Sequence, residues 1–282
     1  MRQHSRLRVA LVHAGLFAFT AATLYPVLWV IKMAVTPSQS FSAGLSPWPE
    51  VFSLQNFSDV VGHTDGTGQW IFGHQLWNSL VVSAATSLLG LTLSATAGYA
   101  LSRWNFPGRD RSLAAFLVTQ MFPGVVMAIP LYLLLDALGL LDQLLGLVLV
   151  YSTTSVPFST FTLKGYFDTI PRELEEAALL DGCSRWQTFT LIILPLAKPA
   201  LAVTALFSFL TAWNEFILAA TLMGDPSRFT LPVVLQRYVT DQATEWGHFA
   251  AGSLVVSAPV ILLFFFLQRY FVEGLTAGAV KG

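Results

Sequence analysis

An all-α, polytopic membrane protein is the fold class this chain predicts. Three observations predict it: 54% hydrophobic against 11% charged residues, a series of apolar stretches of spanning length, and no period-two alternation within them. A mean hydropathy of +0.62 over 282 residues leaves too little polar side chain to clothe a soluble domain. In hydrocarbon every backbone N–H and C=O must be bonded internally, so only helices or closed barrels span. Without strand alternation, helices are expected.

The stretches lie at about 9–31, 76–101, 112–135, 143–163, 199–223 and 250–268, each long enough to cross ~30 Å at ~1.5 Å per residue. Six spanning helices are therefore expected. The first follows Arg2, Arg6 and Arg8, as a signal peptide would, but it is too long for an ordinary signal core and is expected to be retained. The second carries Gly90, Ser94 and Gly98 at four-residue spacing, a small-residue stripe for close helix approach within the chain or at a subunit interface. Pro123 and Pro130 in the third stretch, Pro157 in the fourth and Pro259 in the sixth predict kinks whose freed carbonyls border a cavity.

With the amino terminus inside, twelve of the fifteen Lys and Arg residues fall on the inner side. Only Lys32, Arg228 and Arg237 fall outside. This predicts a cytoplasmic amino terminus (1–8), a transmembrane domain (9–268) and a cytoplasmic tail (269–282). Within the domain the main inner loop is at about 164–198, and the outer segments are at about 32–75 and 224–249.

Several function classes are disfavoured. A net charge of −1 without a dense Lys/Arg block argues against nucleic acid. The single cysteine, Cys183, precludes an internal disulfide or CxxC site, and the five histidines lack metal-ligand spacing, so no metal site is expected. No G-x-x-x-x-G-K-[ST] loop is present, so the chain is not expected to bind or hydrolyse ATP by that route. An intramembrane hydrolase would need a nucleophile and base, and no histidine lies deep in the later spans beside a G-x-S-x-G-like turn. No catalytic or cofactor-binding residue is expected.

The inner loop is the most informative segment. Pro171 opens a predicted helix with Glu173, Glu175 and Glu176 near its positive end, and Leu174, Ala177 and Ala178 at i, i+3 and i+4 give it a narrow apolar stripe. Gly182 follows as a left-handed cap. Ser184 with Gln187 reads as a capping box opening a second helix toward Pro195. Clustered acids here are explained by the helix dipole rather than by catalysis.

Within the spans, Glu215 is the one well-embedded acid and cannot face lipid. It either pairs with a helix end, lines a solute path or couples to an ion. Asn214 and Trp213 beside it, and the run Tyr151, Ser152, Thr153, Thr154 and Ser155 in the fourth stretch, complete a candidate solute path. Trp213 and Phe122 are aromatic faces suited either to a sugar or to packing.

Glu176-Ala177-Ala178, three residues, Gly182, nine residues, then Ile192-x-Leu194-Pro195 matches the loop of bacterial ABC importer permeases. Arg103-Trp-Asn-Phe-Pro-Gly108, Ala212-Trp-Asn-Glu-Phe216 and the tail Glu273–Gly282 resemble the carbohydrate branch. The chain is most similar there to the smaller permease subunits of maltose/maltodextrin importers, over essentially its whole length. The resemblance implies residence in the bacterial inner membrane, a second homologous permease, two ATPase subunits carrying ATP and Mg, and an extracytoplasmic sugar-binding protein. It also implies docking of Glu176, Ala177, Ala178, Gly182, Leu194 and Pro195 on an ATPase, with Glu176 meeting a basic residue there. By the same resemblance Thr276, Ala277, Gly278, Lys281 and Gly282 reach into the ATPase dimer, and segment 224–249 enters the binding protein's site. The alternative class is an ion-coupled secondary transporter, against which the inner loop and the lone membrane acid both argue.

Overall fold

The computed structural model describes residues 6–41, 44, 46–239 and 244–279, with side chains described at 8–41, 44, 46–239 and 244–270. Among these residues the structure is helical, with two isolated bridges, Thr64–Trp70 and Val239–Thr244. The helices are α1 (Arg6–Ala34), α2 (Gln55–Val61), α3 (Ile71–Arg103), α4 (Arg109–Gln120), α5 (Gly124–Ala137) and α6 (Leu144–Asp168). They continue with α7 (Glu173–Leu180), α8 (Arg185–Leu196), α9 (Lys198–Trp213), α10 (Ile217–Leu222), α11 (Leu231–Gln236) and α12 (Trp246–Ala279).

Among the described residues four helices are long and apolar enough to cross a membrane: Arg8–Ala34, Ile71–Arg103, Leu144–Asp168 and Trp246–Tyr270. These coincide with the first, second, fourth and sixth apolar stretches. α6 and α12 run unbroken through Pro157 and Pro259. The third and fifth stretches depart from the expectation of single helices. α4 and α5 meet at 101° across Met121–Pro123. Pro123 is extended at φ −61° and ψ 128°, and without an N–H it cannot continue the hydrogen-bond ladder of α4. The chain breaks there instead of kinking, and restarts with the Val126 N–H on the Pro123 carbonyl at 3.0 Å. In the fifth stretch α9 ends at Trp213 and α10 begins at Ile217, so Asn214, Glu215 and Phe216 form an interruption. Counting α4 with α5, and α8 with α9, as one span each gives up to six among the described residues.

The chain divides into two compact units, Met1–Gly73 with Val234–Ala258, and His74–Val233 with Pro259–Gly282. In the first, the predicted outer segment is folded onto the end of α1. Asn56, 2% exposed, donates from Nδ2 to the carbonyls of Ala34 at 3.1 Å and Thr36 at 2.8 Å and accepts from Gln39 Nε2 at 2.8 Å. The buried Lys32 ammonium donates to the Ser46 carbonyl at 2.7 Å.

In the second unit, the small-residue stripe of α3 faces α6. A Cβ on Gly98 would meet the Lys164 nitrogen at 3.1 Å and the Thr160 carbonyl oxygen at 3.2 Å, and one on Gly90 would meet Ser155 Oγ at 3.0 Å. Ser94 Oγ donates to the Val156 carbonyl at 3.1 Å, so the stripe serves packing within the chain. Below it Ala95, Tyr99, Leu163, Phe167, Phe189 and Ile193 form a buried apolar cluster that joins α3 and α6 to α8.

Candidate functional site

The inner loop folds as helix, glycine turn, helix. α7 closes with the Gly182 N–H on the Leu179 carbonyl at 3.1 Å and the Cys183 N–H on the Ala178 carbonyl at 3.0 Å, a Schellman pair. It requires a left-handed residue, and Gly182 supplies it at φ +88°. The Gln187 N–H then donates to Ser184 Oγ at 3.3 Å while the Ser184 N–H donates to Gln187 Oε1 at 2.8 Å, the reciprocal capping box. α8 carries a π-helical stretch at Thr188–Ile193 and turns by 79° into α9.

The three first-turn acids of α7 differ in environment. Glu176 is exposed. Glu175 turns inward, where its carboxylate accepts Tyr99 Oη at 2.8 Å and the Arg103 guanidinium. Ala178 is 7% exposed and packs inward, which removes it from the expected partner-facing stripe. Ala177 is exposed, and Leu180, 89% exposed, extends that face by one turn. Leu194 is packed against the chain's own apolar cluster, whereas Pro195 is exposed. Of the six residues expected on the docking face, Glu176, Ala177 and Pro195 are therefore exposed, Gly182 shapes the turn, and Ala178 and Leu194 pack inward. Glu175, Tyr99, Arg103 and Leu180 were not singled out by the sequence pattern as docking or positioning residues. The signals for them were the acid adjoining Glu176, the arginine ending the second stretch, and a leucine one turn beyond Ala177.

The second cluster surrounds Glu215. Its carboxylate accepts the backbone N–H groups of Leu218 at 2.8 Å and Ala219 at 3.0 Å, and the hydroxyl of Tyr151 at 2.7 Å. Glu215 thus occupies the helix break and satisfies free N–H groups that α10 would otherwise leave open. Tyr151 is 1% and Trp213 2% exposed, with Trp213 stacked on Phe209 at 5.4 Å between ring centroids, so Trp213 presents no free face to a sugar. Buried Ser152 donates to the Val148 carbonyl at 2.7 Å, which removes it from an open path as well. Tyr151, Ser152 and Trp213 are thus all buried and taken up by contacts inside the chain. Thr154 and Asn214 are exposed, and the Gln120 side-chain amide donates to the Thr154 carbonyl at 3.0 Å, adding a polar group that the sequence reading did not include. Phe122, 58% exposed, lies in the α4–α5 break.

Segment 224–233 is pinned within its unit. Asp142 Oδ1 accepts the N–H groups of Gly224 at 3.1 Å and Asp225 at 3.2 Å, and Asn78 Nδ2 donates to the Ser227 carbonyl at 2.8 Å. Ser79 Oγ accepts the Leu231 N–H at 2.7 Å. The Ser227 backbone N–H and hydroxyl hold the Asp225 carboxyl below the usual carboxylate range. In the other unit, the bridge Val239–Thr244 flanks residues 240–243, so Asp241 lies outside the described residues. The helical backbone of α12 extends through Thr276, Ala277 and Gly278, whereas Lys281 and Gly282 lie outside the described residues. Among the described residues no group of three or more His, Cys, Asp or Glu side chains is placed to hold a metal ion.

The helix-turn-helix of α7 and α8 packs on one end of α3 and α6. The family described as binding-protein-dependent transport system inner membrane component matches residues 90–276, and the chain belongs to it. It is 37% identical to the maltose/maltodextrin transport system permease protein MalG of Salmonella typhimurium over 98% of this chain and 97% of that protein. It is also 37% identical to the maltodextrin transport system permease protein MdxG of Bacillus subtilis, over 92% and 94% of the two chains. Among solved structures it is similar to a bacterial ABC transporter involved in the import of the acidic polysaccharide alginate, with a TM-score of 0.75 at 25% identity, covering 96% of this chain and all of that one. The MetNI methionine ABC transporter in its inward-facing form shares the fold, with a TM-score of 0.60 at 16% identity over 74% of this chain and 99% of that one. The chain is a permease component of the inner membrane and not an enzyme.

Proposed function

We propose that this chain forms half of the translocation path of an ATP-driven ABC importer for malto-oligosaccharides or related sugars. The observation that carries this reading is 37% identity over nearly the full length to a maltose/maltodextrin permease, with the inner-loop motif folded as an exposed helix and glycine turn. The path lies between this chain and a second homologous permease, with Thr154, Asn214 and partly exposed Glu215 as the polar groups this chain offers to it.

The chain spans six times with both termini in the cytoplasm, its transmembrane domain running over 9–268, so that α7 faces inward. Two ATPase subunits, holding ATP and Mg, dock on α7 of this chain and on its counterpart in the second permease. Glu176 meets a basic residue, while Ala177 and Leu180 supply apolar contact. Tail residues 276–282 reach the ATPase dimer, and an extracytoplasmic sugar-binding protein docks on the outer segments near 32–75 and 224–249. Closure of the ATPase dimer pushes α7, and the bundle turns from inward-facing to outward-facing. An ion-coupled mechanism receives no support from Glu215, whose carboxylate is held by two N–H groups and a tyrosine.

Affinity purification of the tagged chain from cells carrying its neighbouring transport proteins tests the reading. Recovery with two copies of an ATPase and one second permease is expected; transport by this chain alone would refute it.

A further inference from the structure

Among the three acids that open α7, the helix dipole favours all alike, yet among the described residues only the Glu175 carboxylate has a partner within the chain. Its side chain is 15% exposed and its partner Arg103 is 6% exposed. Arg103 ends α3, and its rigid fork reaches three segments at once. It donates to the Glu175 carboxylate on α7, to the Ile170 carbonyl between α6 and α7 at 3.1 Å, and to Ser102 Oγ on α3 at 3.0 Å. Tyr99, one turn earlier on the same face of α3, holds the other carboxylate oxygen at 2.8 Å, and its ring stacks on Phe189 of α8 at 4.6 Å. Ser102 in turn donates to Asp168, the last residue of α6, at 2.6 Å.

This arrangement has little slack. The neighbouring Gly98 places the α3 and α6 backbones in near contact, so a displaced α7 meets a bound carboxylate, a planar guanidinium and two closely packed helices in series. Solvated acids would let the helix slide on its own hinge.

We propose that Glu175, with Arg103 and Tyr99, is the positioning joint that converts movement of α7 into movement of α3, so that its loss uncouples ATP hydrolysis from transport while leaving ATPase docking intact. The proposal rests on the reading of α7 as the ATPase contact. Glu175 faces the bundle, whereas Glu176, Ala177 and Leu180 face outward, so docking and transmission are assigned to opposite sides of one two-turn helix.

The test is the complete complex in proteoliposomes, measuring ATPase recovery on an affinity resin and maltotriose imported per ATP hydrolysed. Glu175→Gln is expected to keep parental recovery and to lower the ratio by about tenfold, the scale of one charge-assisted hydrogen bond. Tyr99→Phe removes a single hydroxyl, keeps the protein assayable if the glutamine variant is not inserted, and is expected to lower the ratio by about threefold. Glu175→Gln combined with Arg103→Met should fall no further than the worse single variant, since both break one joint. An unchanged ratio in Tyr99→Phe and Glu175→Gln, effects that multiply in the double variant, or lost ATPase recovery in Glu175→Gln would each overturn the proposal. Glu176→Lys in the same preparation separates the two levels. If it too leaves recovery at the parental value, the docking reading fails; if it alone lowers recovery while the Glu175→Gln ratio holds, only the joint fails.

Discussion

The hydroxyl of Tyr151 and the carboxylate of Glu215 are joined by a 2.7 Å hydrogen bond, and the same carboxylate closes the start of α10 through Leu218 and Ala219. A single carboxylate therefore ties α6 to the break between α9 and α10. Glu215→Gln keeps a carbonyl acceptor, so ATP-dependent uptake should persist at a reduced rate. Glu215→Leu strands two N–H groups and a hydroxyl, each worth roughly 1–3 kcal/mol when unsatisfied, and should lose more of both uptake and thermal stability. Melting curves in detergent with parallel uptake assays check the order; abolished uptake in the glutamine variant, together with protonophore-sensitive uptake by the parent at fixed ATP, would reassign the carboxylate to ion coupling.

Docking is expected to depend on the outward side of α7. Leu180 is 89% exposed, so Leu180→Asp leaves the fold of the chain intact while removing an apolar contact worth about 1.5–3 kcal/mol if fully buried by a partner. Glu176→Lys reverses charge on the same side and places a cation near a helix amino terminus, at a local penalty of about 0.3–1 kcal/mol. Each variant should recover less ATPase in a pull-down, and parental recovery in both would remove the assignment.

Gly182 holds φ +88° with open space where a side chain would go, so its requirement is conformational and not steric. A β-branched residue there faces a penalty of at least roughly 1–2 kcal/mol for the left-handed region. Gly182→Val should depress sugar-stimulated ATPase activity with normal membrane insertion, and Gly182→Asn should do so less. Normal stimulation in the valine variant would count against the turn.

Gly98 makes the opposite case, since a Cβ would meet backbone atoms of α6 at 3.1 and 3.2 Å. Gly98→Ala should lower stability by about 1–3 kcal/mol through forced separation of α3 and α6. Gly165→Ala is the control, because nothing lies within 4 Å of its Cβ position. Detergent melting temperatures should fall for the first and hold or rise for the second.

What could be read from the sequence is local. The capping box at Ser184 and Gln187 and the turn at Gly182 depend on residues a few positions apart, and both stand as expected. The broken spans were hidden because apolar content averaged over a stretch says nothing of continuity. Pro123 signalled a kink, but its extended backbone at ψ 128° makes a full break of 101° between α4 and α5. At Asn214–Phe216 the helix gives way because the Glu215 carboxylate bonds the next helix's N–H groups in place of a continuous ladder. The choice of Glu175 rather than Glu176 as the inward acid depends on Arg103, 72 residues earlier, and no dipole argument distinguishes them. Trp213 and Ser152 have the chemistry of a sugar path, yet the fold leaves them 2% and 6% exposed.

Maltotriose uptake into proteoliposomes holding this chain, its partner permease and the ATPase pair tests the central claim most directly. Internal ATP is held constant, and a protonophore and the binding protein are each added or omitted. Uptake should require both ATP and the binding protein, compete with maltose, and be unchanged by the protonophore. Uptake by this chain alone that collapses with the protonophore at fixed ATP would contradict the account.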